Sequence, residues 1–319
     1  MSSPSSPSEP ESTSEVDSSA PARDNPLDPH TLARLVGLHL RAKRLVEGYV
    51  AGLHRSPFRG HSIEFAEHRS YTPGDDIRHL DWKLLARTDK NYLKQFDDET
   101  NLVCWLVVDA SESMTYRGPK SPLSKWEYAQ LLASLLAYVV VRGQDAAVLA
   151  LFNEELRTTL DPTSTATGWN RLNEALQKQL PSGKTDFADV CETLARRLKR
   201  RCVVIVISDF LDDPAKLELA WRPLTLRRHD VVFFHLTDPA ECDFPFNDAT
   251  EFVGLETTGR HRIDPRSLRA QYLAEHQAYC AELRRLARQN GIEIRSVRTD
   301  EPLDRVTRAF LGARQERYA

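Results

Sequence analysis

Three residues after one apolar run carry the first chemical signal in this chain. Asp109, Ser111 and Ser113 alternate along DASES, directly behind LVCWLVV at 102–108, so one carboxylate and two hydroxyls share a tight loop. These are hard oxygen donors, the kind that Mg²⁺ takes in octahedral geometry while keeping some of its waters. Asp and Ser in such a place also turn a chain and cap a following helix, and DxSxS alone leaves both readings open. Thr185, in PSGKTDF, lies in a glycine-containing loop ahead of a helical stretch, and Asp209 follows the apolar run CVVIVIS. Each of the five follows a core element, in loops that one edge of a sheet can bring together. The chemistry this set implies is binding of a divalent cation, Mg²⁺ or else Mn²⁺ or Ca²⁺.

The set Asp109, Ser111, Ser113, Thr185 and Asp209 resembles the metal-ion-dependent adhesion site of von Willebrand factor type A domains. The resemblance implies that the serines and the threonine contact the metal directly and that the aspartates act largely through bound water. It also implies one metal position open to a partner's carboxylate. Two departures stand out. Phe210 follows Asp209 where the family usually has glycine, which gives the backbone less freedom. Lys184 replaces one member of a common glycine pair and places a cation near the proposed site.

The elements that must hold these loops are legible in the apolar pattern. The runs at 102–108 and 202–207 are continuous rather than alternating, which suits central parallel strands buried on both faces. Between and after them the pattern predicts a helix at 125–142, apolar nearly all round and so buried. It further predicts a strand at 146–152 with a hairpin mate at 154–160, helices at 168–179, 187–200 and 214–226, and a strand at 231–236. An edge strand at 250–255, a long helix from Asp264-Pro265 to Asn290-Gly291, a strand at 292–297 and a helix from Pro302 complete the order. Strands alternating with helices imply an α/β fold with a doubly wound, mostly parallel sheet, and the resemblance implies that this fold is von Willebrand factor type A-like and Rossmann-like. Ligands of such sheets sit at the carboxyl ends of the strands. His235, in the last apolar strand but one, reads as a hydrogen-bonded core histidine.

Three regions are expected. Residues 1–30 are Ser- and Pro-rich with six acids against Arg23, a net −5, and are read as a disordered tail. Residues 31–100 hold a helix at 31–49 and a charged segment, packed on the main domain at 101–319. Within that segment Ile63 and Phe65 alternate as an edge strand would, and Trp82 is the expected anchor. Its string EFAEHRSYTPGDDIRHLDWK, followed by ART and the strand into DASES, is similar to the family known as domain of unknown function 58, whose members carry a von Willebrand factor type A-like domain. The resemblance implies association with MoxR-type AAA+ ATPases. A salt-bridge network fastening the segment to the main domain accounts for the charges. The other reading makes Asp75, Asp76 and Arg78 a partner-binding face.

Composition narrows the functions. With the tail set aside, the body is net +2 of an overall −3, which gives no push toward nucleic acid or an anionic membrane. No apolar stretch reaches the ~20 residues of a spanning helix. Five scattered cysteines, Cys104, Cys191, Cys202, Cys242 and Cys280, read as reduced thiols in the cytoplasm. Three functions compete. The first is a metal-dependent protein-binding module, adaptor or cochaperone to an AAA+ ATPase whose acidic residue completes the metal shell, with no catalytic residue. The second is a phosphotransfer enzyme of the haloacid-dehalogenase kind, which needs a second carboxylate where Ser111 stands. The third is nucleic-acid binding through Arg196–Arg201 and the arginines of the last two helices, for which aromatic interleaving is lacking.

Overall fold

The computed structural model describes residues 29–55 apart from 34 and 36, the strand pair 68–70 and 92–94, and residues 102–318 apart from 249 and 254–259. Most of the charged segment, with Ile63, Phe65, Asp75, Asp76, Arg78 and Trp82, lies outside the described residues, as does the tail up to residue 28. In chain order the elements are α1 (Pro29–Ala33), α2 (Leu38–Arg55), β1 (His68–Ser70), β2 (Tyr92–Lys94), β3 (Val103–Asp109), α3 (Lys125–Arg142), β4 (Ala146–Phe152) and β5 (Leu156–Thr159). There follow α4 (Ala166–Lys178), α5 (Phe187–Arg197), β6 (Val203–Ser208), α6 (Pro214–Leu226), β7 (Asp230–Thr237), α7 (Pro239–Asp243), β8 (Thr250–Val253), β9 (Arg260–Ile263), α8 (Pro265–Gln289), β10 (Glu293–Arg298) and α9 (Leu303–Tyr318).

The main sheet has the order β10-β7-β6-β3-β4-β5, parallel throughout except for β5, which runs antiparallel to β4. From β3 the chain moves outward to β4 and β5, then returns to β6 on the other side and continues outward to β7 and β10. The winding therefore reverses at β3, and the switch point at its carboxyl end is where open α/β sheets bind ligands. Because parallel strands need crossover helices, both faces are covered. Leu32, Leu45, Leu131, Leu172 and Phe310 of α1, α2, α3, α4 and α9 pack on one face. Leu194, Trp221 and Leu283 of α5, α6 and α8 pack on the other.

Local sequence explains the helix ends. Ser124 and Glu127 form a reciprocal capping box at the start of α3, an arrangement whose loss typically costs ~1 kcal/mol. Asp213-Pro214 and Asp264-Pro265 start α6 and α8 with a carboxylate cap followed by proline at the first helical position. Two expectations need correction. The helix expected at 31–49 is two helices, separated where Gly37 takes φ +84°, a conformation that does not continue an α-helix. The strand expected at 250–255 does not extend the main sheet, since β8 pairs with β9 in a separate two-stranded sheet.

Candidate functional site

Asp109 is the last residue of β3 and Asp209 follows the last residue of β6. The two strands are neighbours in register, with Val108 opposite Ile207, so both carboxylates arrive at the same edge. The Thr185 loop is drawn to that edge by backbone bonds. Ser182 N–H donates to the Ala110 carbonyl at 2.9 Å, Glu112 N–H to the Gly183 carbonyl at 2.9 Å, and Asp186 N–H to the Asn153 carbonyl at 3.1 Å. Gly183 makes this possible with φ +74°. Asp186 then caps α5 by accepting from Ala188 N–H and Asp189 N–H.

The five oxygen-bearing residues converge. Ser111 Oγ and Ser113 Oγ are 3.0 Å apart, and Thr185 Oγ1 stands 3.5 Å from both carboxylate oxygens of Asp109. Asp109 Oδ1 accepts the Ser111 N–H at 2.9 Å, and Ser113 is near enough to Asp209 to favour its charged form. Asp109, Ser111, Ser113 and Asp209 are all buried, and Thr185 is half-buried.

Two residues that the sequence reading passed over complete the cluster. Ser208 donates its hydroxyl to Asp109 Oδ2 at 2.6 Å while accepting the Phe210 N–H at 2.9 Å. Its signal was its place beside Asp209 at the end of an apolar strand. Lys125, only 2% exposed, puts Nζ 2.7 Å from Asp209 Oδ2 and 2.9 Å from Glu241 Oε1. The ammonium at the cluster is thus Lys125. Lys184, expected to place a cation near this site, has an exposed side chain.

Electrostatics separate the two aspartates. Burial, with the Asp209 charge nearby, pushes the Asp109 carboxyl up to about 7, against the hydrogen bonds from Ser208 and Ser111. Burial would raise Asp209 as well, but the Lys125 ammonium, helped by Ser113 and the Leu211 N–H, outweighs it and holds that carboxyl below its ordinary range. Lys125, which burial alone would lower, is instead raised by Asp209 and Glu241. A buried carboxyl without a counter-charge beside one that has it is an environment that a cation would relieve.

The loop carrying Ser111 and Ser113 is fastened at its far end. Gly118 N–H donates to Asp238 Oδ2 at 3.0 Å, and Asp238 and Glu241 form the capping box of α7. A Cβ at residue 118 would lie 2.2 Å from Asp238 Oδ1 and 2.7 Å from Ala240 Cβ. Gly118→Ala is therefore expected to destabilise the protein by about 1–3 kcal/mol, as overpacking does. Urea melts of the variant check this, and an unchanged midpoint would mean that the loop moves aside freely.

Outside the cluster, several expectations resolve structurally. Arg196, Arg285 and Arg308 each pair with a carboxylate one turn away, Glu192, Glu282 and Asp304. All five cysteines are free thiols. His235 is a core residue between the Phe210 and Tyr279 rings, but its Nδ1 has no hydrogen-bond partner among the described residues, contrary to the expected pairing. No helix among the described residues is long and apolar enough to cross a membrane. A cleft of about 560 Å³ opens beside Thr185, with Asp186, Glu192, Lys216, Leu219 and Pro223 on its walls.

A doubly wound, mostly parallel six-stranded sheet covered by helices on both faces gives this chain a von Willebrand factor type A-like α/β fold. Residues 67–282 match the family described as protein of unknown function DUF58, and the chain belongs to that family. Over 285 residues it is 29% identical to uncharacterized proteins of Mycobacterium bovis and of Mycobacterium tuberculosis, with 86% of each chain covered. Among solved structures it is similar to the conserved hypothetical protein BatB from Bacteroides thetaiotaomicron, with a TM-score of 0.37 and 16% identity over 59% of this chain and 99% of that one. An aerotolerance-related membrane protein from Bacteroides fragilis gives 0.41 and 18% over 65% and 97%, and the SpRpn10 VWA domain 0.38 and 9% over 65% and 94%.

Proposed function

We propose that the chain is a protein-binding module that works through a divalent cation. Ser111, Ser113 and Thr185 would hold the cation directly, with Asp109 and Asp209 acting through water, and an acidic side chain of a partner would complete its shell. The observation that carries this reading is the 3.0 Å between Ser111 Oγ and Ser113 Oγ. Adjacent ligands in an octahedron with bonds of ~2.1 Å lie about 3 Å apart, so the two serine oxygens are spaced as a pair that would hold a Mg²⁺ ion together. Mn²⁺ and Ca²⁺ take the same class of donor. The bound cation supplies positive charge to attract a carboxylate, and the chain's own residues orient it and shield it from bulk water.

The reading requires no nucleophile or general base, and position 111 offers a hydroxyl where a haloacid-dehalogenase mechanism needs an acid. The resemblance of the charged segment supports a MoxR-type AAA+ ATPase as the partner, with this chain as adaptor or cochaperone. The cleft beside Thr185 would give the partner's chain room next to the cation. Five unpaired thiols support a cytoplasmic location.

Asp109→Ala is expected to weaken Mg²⁺ or Mn²⁺ binding at least tenfold while the protein still folds, because the change also removes a buried charge. Calorimetric titration beside circular dichroism measures both. Equal binding by wild type and variant would refute the site.

A further inference from the structure

The reading above leaves a question of charge, and Lys125 bears on it. Its ammonium is enclosed, and it contacts Asp209 at 2.7 Å and Glu241 at 2.9 Å. Asp209 is engaged at both oxygens, with Oδ2 on Lys125 and Oδ1 accepting the Leu211 N–H at 3.3 Å. Asp109, by contrast, has only neutral donors, the Ser208 and Thr185 hydroxyls and the Ser111 N–H. A buried carboxylate shared with an ammonium cannot give its full charge to a second cation. A divalent ion here would meet one unshared carboxylate, Asp109, and three neutral hydroxyls.

We propose that Lys125 is a built-in counter-ion that withholds Asp209, so that the divalent cation binds weakly until a carboxylate from outside joins it. The inference rests on the cation reading given under the proposed function, and it adds the regulation of that site. Lys125 makes cation and acidic partner bind cooperatively, and by linkage each raises the affinity of the other by the same factor. A cation alone would then dwell briefly on the protein, and an acidic partner would meet a competent site only in the presence of the metal. Glu241 sets the strength of the restraint, because it shares the ammonium with Asp209. Through its capping box with Asp238, it ties the restraint to α7.

The test is calorimetric titration of Mg²⁺ and Mn²⁺ into the full chain, in sodium acetate and in sodium chloride of equal ionic strength. Wild type, Lys125→Met and Glu241→Gln are compared, with thermal melts to verify folding. Glu241→Gln keeps the cap, since glutamine serves at that position of a capping box. Lys125→Met should bind cation about tenfold more tightly than wild type in chloride, and Glu241→Gln more weakly, because the first frees Asp209 and the second strengthens its tie to Lys125. Acetate should tighten binding to wild type several-fold and leave Lys125→Met nearly unchanged. If wild type binds cation and Lys125→Met binds no more tightly, or if acetate acts equally on both, the counter-ion role is wrong while the cation site stands. Should Lys125→Met fail to fold, an unchanged or raised affinity in Glu241→Gln overturns the proposal by itself. If none of the three binds either metal in either anion, the cation reading fails and takes this proposal with it.

Discussion

Replacing Phe210 by glycine, the residue that the metal-site resemblance implies at this position, is expected to destabilise the protein by about 2–4 kcal/mol. Phe210 sits at φ +49°, a region that side chains with a Cβ avoid, so glycine would relieve about 1–2 kcal/mol of backbone strain. Against that stands the ring. It is buried, 4.8 Å from the Phe233 ring centre and 5.5 Å from that of Phe187, and truncating such an aromatic typically costs ~3–5 kcal/mol, to which glycine's added chain entropy contributes up to ~1 kcal/mol. The ring wins, and the Tyr279 hydroxyl donating to the Phe210 carbonyl helps to hold the strained turn in place. The strain should still be visible by comparison. Phe210→Ala keeps the Cβ at positive φ, so it should be about 1 kcal/mol less stable than Phe210→Gly, the reverse of the usual order within helices and strands. Urea melts of both variants decide it, and an alanine variant at least as stable as the glycine variant would remove the strain argument. Because Phe210 N–H is bound to the same Ser208 hydroxyl that holds Asp109, both variants should also loosen the oxygen cluster.

What could be read from the sequence follows the range of the forces involved. The central strands were legible because a strand buried on both faces needs an unbroken apolar run, as in 103–108 and 203–207. The bounds of α3 and α6 were legible because their ends are written locally, by Ser124 with Glu127 and by Asp213 with Pro214. The break at Gly37 was missed because the apolar spacing runs on across it and conceals the turn. The β8–β9 pair was misplaced because a short strand carries no mark of which sheet it joins. In the oxygen cluster, the residues on strand ends announced themselves by following apolar runs. Lys125 did not, since a lysine in the first turn of a helix reads as solvated, and its partners lie 84 and 116 residues away. Lys184 was nominated instead because it adjoins Thr185 in sequence. Adjacency along the chain was a poor guide to which ammonium the fold encloses.

The largest pH effects are expected to come from Asp109 and His235, and in metal-free wild type to offset one another. Asp109 titrates at about 7 in the folded protein against an ordinary 3.8. Between those values the folded state keeps a proton that the unfolded state has lost. Its contribution to stability is therefore full at low pH and is lost as pH rises through about 7. His235 is pushed down to about 4 from 6.5, chiefly by burial, with Lys125, His276 and Arg284 adding to the effect and Asp209 opposing it. Here the unfolded state holds the extra proton, so stability rises with pH across about 4 to 6.5, by about 3 kcal/mol. The two slopes have opposite signs over nearly the same interval, and single variants should expose them. In chelator, Asp109→Asn should gain stability relative to wild type as pH goes from 4.5 to 6.5. His235→Phe should lose it over the same interval, with no bond to Nδ1 sacrificed among the described residues. Groups common to all three proteins that do not interact with residues 109 and 235 cancel in the comparison. Saturating Mg²⁺ at pH 6.5 should stabilise wild type and His235→Phe but not Asp109→Asn, because only the first two keep the carboxylate that the cation would neutralise. Denaturant melts at the two pH values supply every one of these differences. A His235→Phe variant whose pH slope matches wild type would mean that His235 takes up its proton within the fold, and the offset would then have to be sought in other groups.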